Sequence, residues 1–211
     1  MSVSYPELIN ELGSCLLIAV SKTRTPQEIM SLYQQGQRHF GENKVQELLS
    51  KYEVLPQDIA WHLIGHLQRN KVKYIASFVQ LIHGVDSRKL LQEVDKQGRK
   101  IGRRIPCLLQ MHVAMEETKF GLDAAELRDL LDARSAAGGW AHAPVHGIMG
   151  MASFTDDKDK VRKEFRELKR IFDGLRSGPF SGDPDFNILS MGMSGDDKDK
   201  VRKEFRELKR I

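Results

Sequence analysis

Lys22 closes one apolar run of the chain, and two hydroxyls, Ser190 and Ser194, close another far downstream. In residues 16–22, strand alternation puts Ile18, Val20 and Lys22 on one face. If that face lines the mouth of a barrel, the amine is partly desolvated. A partly desolvated amine titrates lower than a free one and condenses with aldehydes to a Schiff base. Taken alone, the position reads more simply as a lysine that ends a strand and extends to water. The downstream run adds a second feature, because its alternate positions are Ile188, Ser190, Gly192 and Ser194, followed by Gly195. Small and hydroxylated residues at a strand end leave room for a ligand and offer O–H and N–H donors to phosphate. A helix starting near Asp196 would aim its positive end at the same place. By itself, this pattern fits a small-residue strand against a bulky neighbour equally well. An amine on one strand and a phosphate cradle on another suit an aldehyde-bearing phosphate ester. Pyridoxal phosphate is one such ligand, and a sugar phosphate of the aldolase type is the rival.

The elements that must position these groups are short apolar runs alternating with amphipathic stretches. Strands are expected over residues 16–22, 39–43, 61–65, 81–86, 107–114, 145–152 and 186–194. Helical spacing lies between them. Thr25-Pro26 caps a helix over 25–36, Val45, Leu48 and Leu49 share a side over 43–52, and Ser87 opens 87–98. Asp123 with Glu126 three residues on forms a capping-box pattern for 123–134. Strict alternation predicts a parallel sheet. With no G-x-G-x-x-G and short connections, the (β/α) barrel is favoured over an open doubly-wound sheet. A full barrel has eight strands and the sequence supplies seven, so the fold read here is an α/β TIM-type barrel missing or altered at its eighth strand. The whole chain, 1–211, reads as one such domain.

Residues 156–171 and 196–211 are the same string, DDKDKVRKEFRELKRI. Repeat architectures stack three or more similar units whose copies drift, so two identical blocks do not read as a solenoid. In the first copy Val161, Phe165 and Leu168, continued by Phe172, form a helical stripe. The second copy repeats it as Val201, Phe205 and Leu208, which predicts a second helix and cannot supply an eighth strand.

The formal net charge is +4, and the surplus of two positive charges in each copy of this block accounts for it. Because acids are interleaved with the bases, these are solvated helix faces and not a nucleic-acid-binding surface. Cys15 and Cys107 lie far apart in apolar sequence surroundings and form no C-x-x-C pair, which fits a reducing cytoplasmic setting without disulfides or structural zinc. No apolar run is long enough for a membrane span. His62 with His66, and His142 with His146, have zinc-like spacing. The first pair straddles a strand end and the second brackets Pro144, so both read as structural. Lys119 reads as a solvated loop lysine, and Phe40 and Trp61 as core.

The strings AVSKT (19–23), FGEN (40–43) with VQELL (45–49), WHLIGHLQRNKVKYI (61–75), IHGVDS (82–87), EETKFGL (116–122), MGMASFTDD (149–157) and LSMGMSGD (189–196) occur in this order. Together they resemble the pyridoxal-phosphate homeostasis proteins, whose barrel is similar to the N-terminal domain of alanine racemases. The likeness runs from about residue 14 to residue 196. It implies pyridoxal 5′-phosphate as cofactor and Lys22 as the Schiff-base lysine. It places Asn43 near the cofactor ring, and Ser190, Ser194 and Gly195 around the phosphate. It also implies a further helix and a strand of the type "STMVRIG" after residue 196, where the duplicated block stands instead. Losing one charge-assisted phosphate contact costs roughly 1.5–3 kcal/mol, or about ten- to a hundredfold in affinity.

A racemase needs a second acid/base group opposite the lysine, which alanine racemases take from an additional domain and a partner subunit. No residue range is left here for such a domain. The expectation is therefore a monomeric, cytoplasmic, non-catalytic protein that buffers the cofactor or delivers it to pyridoxal-phosphate-dependent apoenzymes. The alternatives are a racemase-like enzyme acting on amino acids and an altered barrel without a ligand.

Overall fold

The computed structural model describes residues 4–113, 121–136, 139–153 and 155–193. Helix α1 spans Tyr5–Leu12, followed by β1 (Ala19–Val20), α2 (Pro26–Gln34), β2 (His39–Glu42), α3 (Val45–Tyr52) and β3 (Ala60–Leu63). After a 3-10 turn at Arg69–Lys71 come α4 (Val72–Ile75), β4 (Leu81–Val85), α5 (Arg88–Ile101), β5 (Cys107–Met111), α6 (Ala124–Ala136), β6 (Val145–Ala152), α7 (Lys158–Ser177) and β7 (Ile188–Met193).

The helix starts follow from their capping residues. Thr25 and Glu28 cap each other at α2, the Thr25 N–H donating to Glu28 Oε2 at 2.8 Å. At α6 the Asp123 carboxylate accepts from the N–H groups of Ala125 and Glu126, both at 2.8 Å. Gly102, at φ 66°, ends α5 in the left-handed region that glycine adopts without a Cβ penalty. In α7, Asp157 accepts from the N–H groups of Asp159 and Lys160, and Val161, Phe165, Leu168 and Phe172 are all buried, as the stripe in the first copy of the repeat predicts.

All seven strands are parallel and hydrogen-bonded in sequence order, β1 to β7. A doubly-wound sheet reverses strand order at a switch point. This one never does, which is the winding of a barrel. The sheet also curls. Strands three places apart lie about 14 Å apart in a flat sheet, yet His83 on β4 and Ser190 on β7 hydrogen-bond side chain to side chain at 2.9 Å. Among the described residues β1 and β7 remain the two sheet edges.

The registers sort alternate residues onto two faces. Phe40, Trp61, Leu63, Ile82, Cys107, Leu109 and Ile148 face the helices and belong to the main buried cluster. His39, Gly41, His62, Met149, Ser190 and Gly192 lie on the inner face, where the apolar cluster is small: Leu81, Leu108 and Met149, with Met151 and Ile188 against it. At the end of β6 a buried carboxylate ties α7 to the sheet, Glu164 accepting from the Ser153 N–H at 2.7 Å and from its hydroxyl at 2.6 Å.

Several expectations change in detail. The first strand pairs over two residues rather than seven, because only Ala19 and Val20 register against β2. Helices α1 and α4 have no counterpart in the pattern reading. Cys107 is buried as expected, but Cys15 is exposed rather than apolar-packed. The second copy of the repeat and the question of an eighth strand lie outside the described residues.

Candidate functional site

Lys22 sits in the turn that follows β1. The turn closes through Arg24 N–H donating to Ser21 O at 3.0 Å, and Thr23 adopts φ 61°. A β-branched residue in the left-handed region is strained, at a cost of about 1–3 kcal/mol, so its surroundings must hold it there. They do so from both sides. The Ser21 N–H donates to Gly41 O at 2.9 Å, continuing the β1–β2 ladder, and the Thr23 N–H donates to Glu47 Oε2 on α3 at 3.0 Å.

Beneath the turn lies a buried charged cluster. The Ser21 hydroxyl donates to Glu42 Oε1 at 2.6 Å. Lys51 Nζ, from α3, donates to the same oxygen at 2.6 Å and to the Ser21 carbonyl at 2.7 Å. Ser21, Glu42 and Lys51 are all buried. The second oxygen of Glu42 has no hydrogen-bond partner among the described residues, so the cluster is held at some cost in desolvation. Sequence reasoning missed this cluster. Its only trace was a glutamate ending a strand nine residues ahead of a lysine on the following helix.

Asn43 follows Glu42 at the end of β2, beside the Lys22 turn. Gly65 packs against its backbone so closely that a Cβ there would lie 2.4 Å from Asn43 O, and a Cβ on Gly84 would lie 2.6 Å from Gly65 O. Without side chains at these points, the backbones at the ends of β2, β3 and β4 come together. At the same rim His66 Nδ1 lies 2.7 Å from Asp86 Oδ2.

Ser190 lies on the inner face of β7, paired with Met149. Its hydroxyl ends a chain of three imidazoles. His39 Nδ1 lies 3.0 Å from His62 Nε2, His62 Nδ1 lies 2.9 Å from His83 Nε2, and His83 Nδ1 lies 2.9 Å from Ser190 Oγ. Burial lowers all three histidines from their ordinary range. It takes His62 to about 3, helped by the charges His83 and His39 would carry, and His83 to about 4. Both inner rings are therefore neutral at physiological pH. Two strand positions beyond Ser190, a Cβ added to Gly192 would find, among the described residues, only Met151 Cγ, at 4.0 Å.

Lys22 and Asn43 thus come together at adjacent strand ends, and Ser190 lies on the inner face of the last described strand. Ser194, Gly195 and Lys119 lie outside the described residues. His62 does not pair with His66. Its partners lie 23 and 21 residues away on the neighbouring strands. Among the described residues no three His, Cys, Asp or Glu side chains are arranged so that they could hold a metal ion, and no helix there is long and apolar enough to cross a membrane.

A parallel, sequentially ordered half-barrel with a lysine on its first strand-end turn defines a class, and comparison with known proteins identifies it. The family model described as "Alanine racemase, N-terminal domain" matches residues 8–203. The chain belongs to this family and, within it, to the pyridoxal phosphate homeostasis proteins. One relative, the pyridoxal phosphate homeostasis protein of Aquifex aeolicus, is 37% identical over 161 residues, which cover 76% of this chain and 69% of the relative. Among solved structures, an unknown protein from Bifidobacterium adolescentis superposes with a TM-score of 0.79 at 28% identity, over 96% of this chain and 86% of that one. PipY of Synechococcus elongatus, solved with PLP bound, gives a TM-score of 0.75 at 31% identity, over 94% of this chain and 92% of its own.

Proposed function

We propose that this chain is a pyridoxal 5′-phosphate holder acting in cofactor homeostasis, with Lys22 as the covalent attachment point. The observation that carries the reading is the strained Lys22 turn, clamped by Ser21, Glu42 and Lys51. A lysine that merely reached for water would not call for such fixation. When bound, the cofactor supplies an aldehyde, and its condensation with the Lys22 amine releases one water. Asn43 borders the ring, while Ser190, Ser194 and Gly195 hold the phosphate. The inner-face histidines stay neutral and engaged with one another, so neither is poised as the second acid/base group that racemisation requires. The recipients of the cofactor are pyridoxal-phosphate-dependent apoenzymes. The chain works as a single-domain monomer in the cytoplasm, a setting that suits its two free, distant cysteines.

The test is a titration with pyridoxal 5′-phosphate. A visible absorbance band should appear, vanish on borohydride reduction, and be lost in Lys22→Ala with unchanged far-UV circular dichroism. Turnover of amino acids by the loaded protein would restore the racemase-like reading. No band at all would favour a barrel without the cofactor.

A further inference from the structure

The chain of imidazoles reaching Ser190 has a directional property, because each neutral ring donates through one nitrogen and accepts through the other. The observed contacts allow two proton orders. In one, His39, His62 and His83 all carry their proton on Nδ1, and His83 donates to Ser190 Oγ. In the other, all three carry it on Nε2, and the Ser190 hydroxyl donates to His83 Nδ1. Only the first leaves the serine proton free to point at a ligand. A phosphate dianion accepts hydrogen bonds and donates none, so it is compatible with the first order alone.

We propose that His39, His62 and His83 are positioning residues that orient the Ser190 hydroxyl toward a phosphate monoester and so set the preference for the phosphorylated cofactor. The inference rests on the reading above for the identity of the ligand, but its geometry stands apart from Lys22. His83 touches the serine, and His62 and His39 act through it. His62 and His83 are each 3% exposed, so water is poorly placed to replace either hydrogen bond. Both rings are kept neutral by burial, which the relay requires, since a doubly protonated imidazole could only donate. The four groups come from β2, β3, β4 and β7. The curl of the sheet is what turns them into one line.

A hydrogen bond to a charged group contributes about ten- to a hundredfold in affinity. The change in the ratio of affinities for pyridoxal 5′-phosphate and unphosphorylated pyridoxal, variant against native chain, isolates that contribution, since differences intrinsic to the two ligands, including the internal hemiacetal of pyridoxal, cancel. His83→Phe is expected to lower the ratio about tenfold or more. His83→Asn, which keeps a donor near the Nδ1 position, should recover part of it. His62→Gln should lower the ratio although residue 62 does not touch the serine, a result that a merely structural role for His62 does not produce. Nitrogen-15 spectra of the full chain provide a readout that needs no substitution in the relay. With inorganic phosphate added to Lys22→Ala, His62 and His83 should both carry the proton on Nδ1. This arm works whether or not the cofactor attaches at Lys22. A native chain that binds the cofactor covalently, yet shows His83 protonated on Nε2 or an unchanged affinity ratio in both His83→Phe and His62→Gln, would overturn the relay and leave the attachment reading intact.

Discussion

The two faces of the sheet are built from alternate residues of the same strands, yet they differ in kind. Toward the helices, Phe40, Trp61, Leu63, Ile82 and Leu109 are fully or almost fully buried in a continuous apolar layer. On the inner face the same strands place His39, His62, His83 and Ser190 in a hydrogen-bonded line, with glycines beside them and a small apolar cluster. The first face does the work of stability. The second gives up packing for polar groups held at fixed positions, whose mutual hydrogen bonds offset the cost of their desolvation. The strands are thus a scaffold on one side and a site on the other, and each substitution should report which side it belongs to.

The largest stability loss should come from the helix-packed face or from the clamp under Lys22. Phe40→Ala removes a side chain with no exposed surface and should cost about 3–5 kcal/mol in a denaturant titration. Cofactor attachment at saturating ligand should survive in the folded fraction. Lys51→Ala leaves Glu42 buried without its counter-ion and should cost a similar amount, about 3–5 kcal/mol. It should also weaken attachment at Lys22, which Phe40→Ala should not. Equal effects of both substitutions on attachment would erase the distinction between clamp and scaffold.

Smaller, and specific to the inner face, is an effect of pH. His62 and His83 titrate near 3 and 4 in the fold, against an ordinary value of 6.5. Between those limits the unfolded chain binds protons that the native state does not, so stability falls as pH drops below about 6.5 and levels off near the folded values. The slope contributed by each ring is at most about 1.4 kcal/mol per pH unit. Urea midpoints should be lower at about pH 5 than at neutral pH, with a flatter dependence in His62→Gln. A midpoint that does not move across this range would mean that the rings are not held neutral.

The smallest expected effect concerns the cysteines, one on each side of the solvent boundary. Cys107 is enclosed in the helix-packed layer and burial pushes its thiol well up, whereas Cys15 is exposed. An alkylating reagent should modify Cys15 alone in the native protein and both after unfolding. Native labelling of Cys107 would show that the layer opens more readily than its packing suggests.

The alternation of apolar runs made the strands legible, because a residue pattern of period two survives in sequence whatever the tertiary context. Caps at Thr25, Ser87 and Asp123 were legible for the same local reason. The extent of β1 was not, since it depends on how far β2 runs beside it. Helix α1 was legible but passed over: Tyr5, Leu8, Ile9 and Leu12 recur at helical spacing behind a Ser4–Glu7 capping box. Lys22 and Ser190 were singled out by position on their strands. The groups that hold them were invisible because their partners are set by register between strands. His62 was weighed against His66, four residues away, while its contacts lie one strand–helix unit to either side, at His39 and His83. The recurrence of histidine at that interval was the available signal. The Glu42–Lys51 pair needed the fold itself to bring a strand end under the turn that carries Lys22.

The central claim, covalent attachment at Lys22, is tested most directly by reductive trapping. The full chain is mixed with pyridoxal 5′-phosphate, reduced with borohydride, digested, and its peptides mapped by mass. A single phosphopyridoxyl label is predicted, on the peptide that carries Lys22, and it should be absent from Lys22→Ala. A label on Lys119 or Lys51, or one spread over surface lysines and unaffected by Lys22→Ala, would contradict the account.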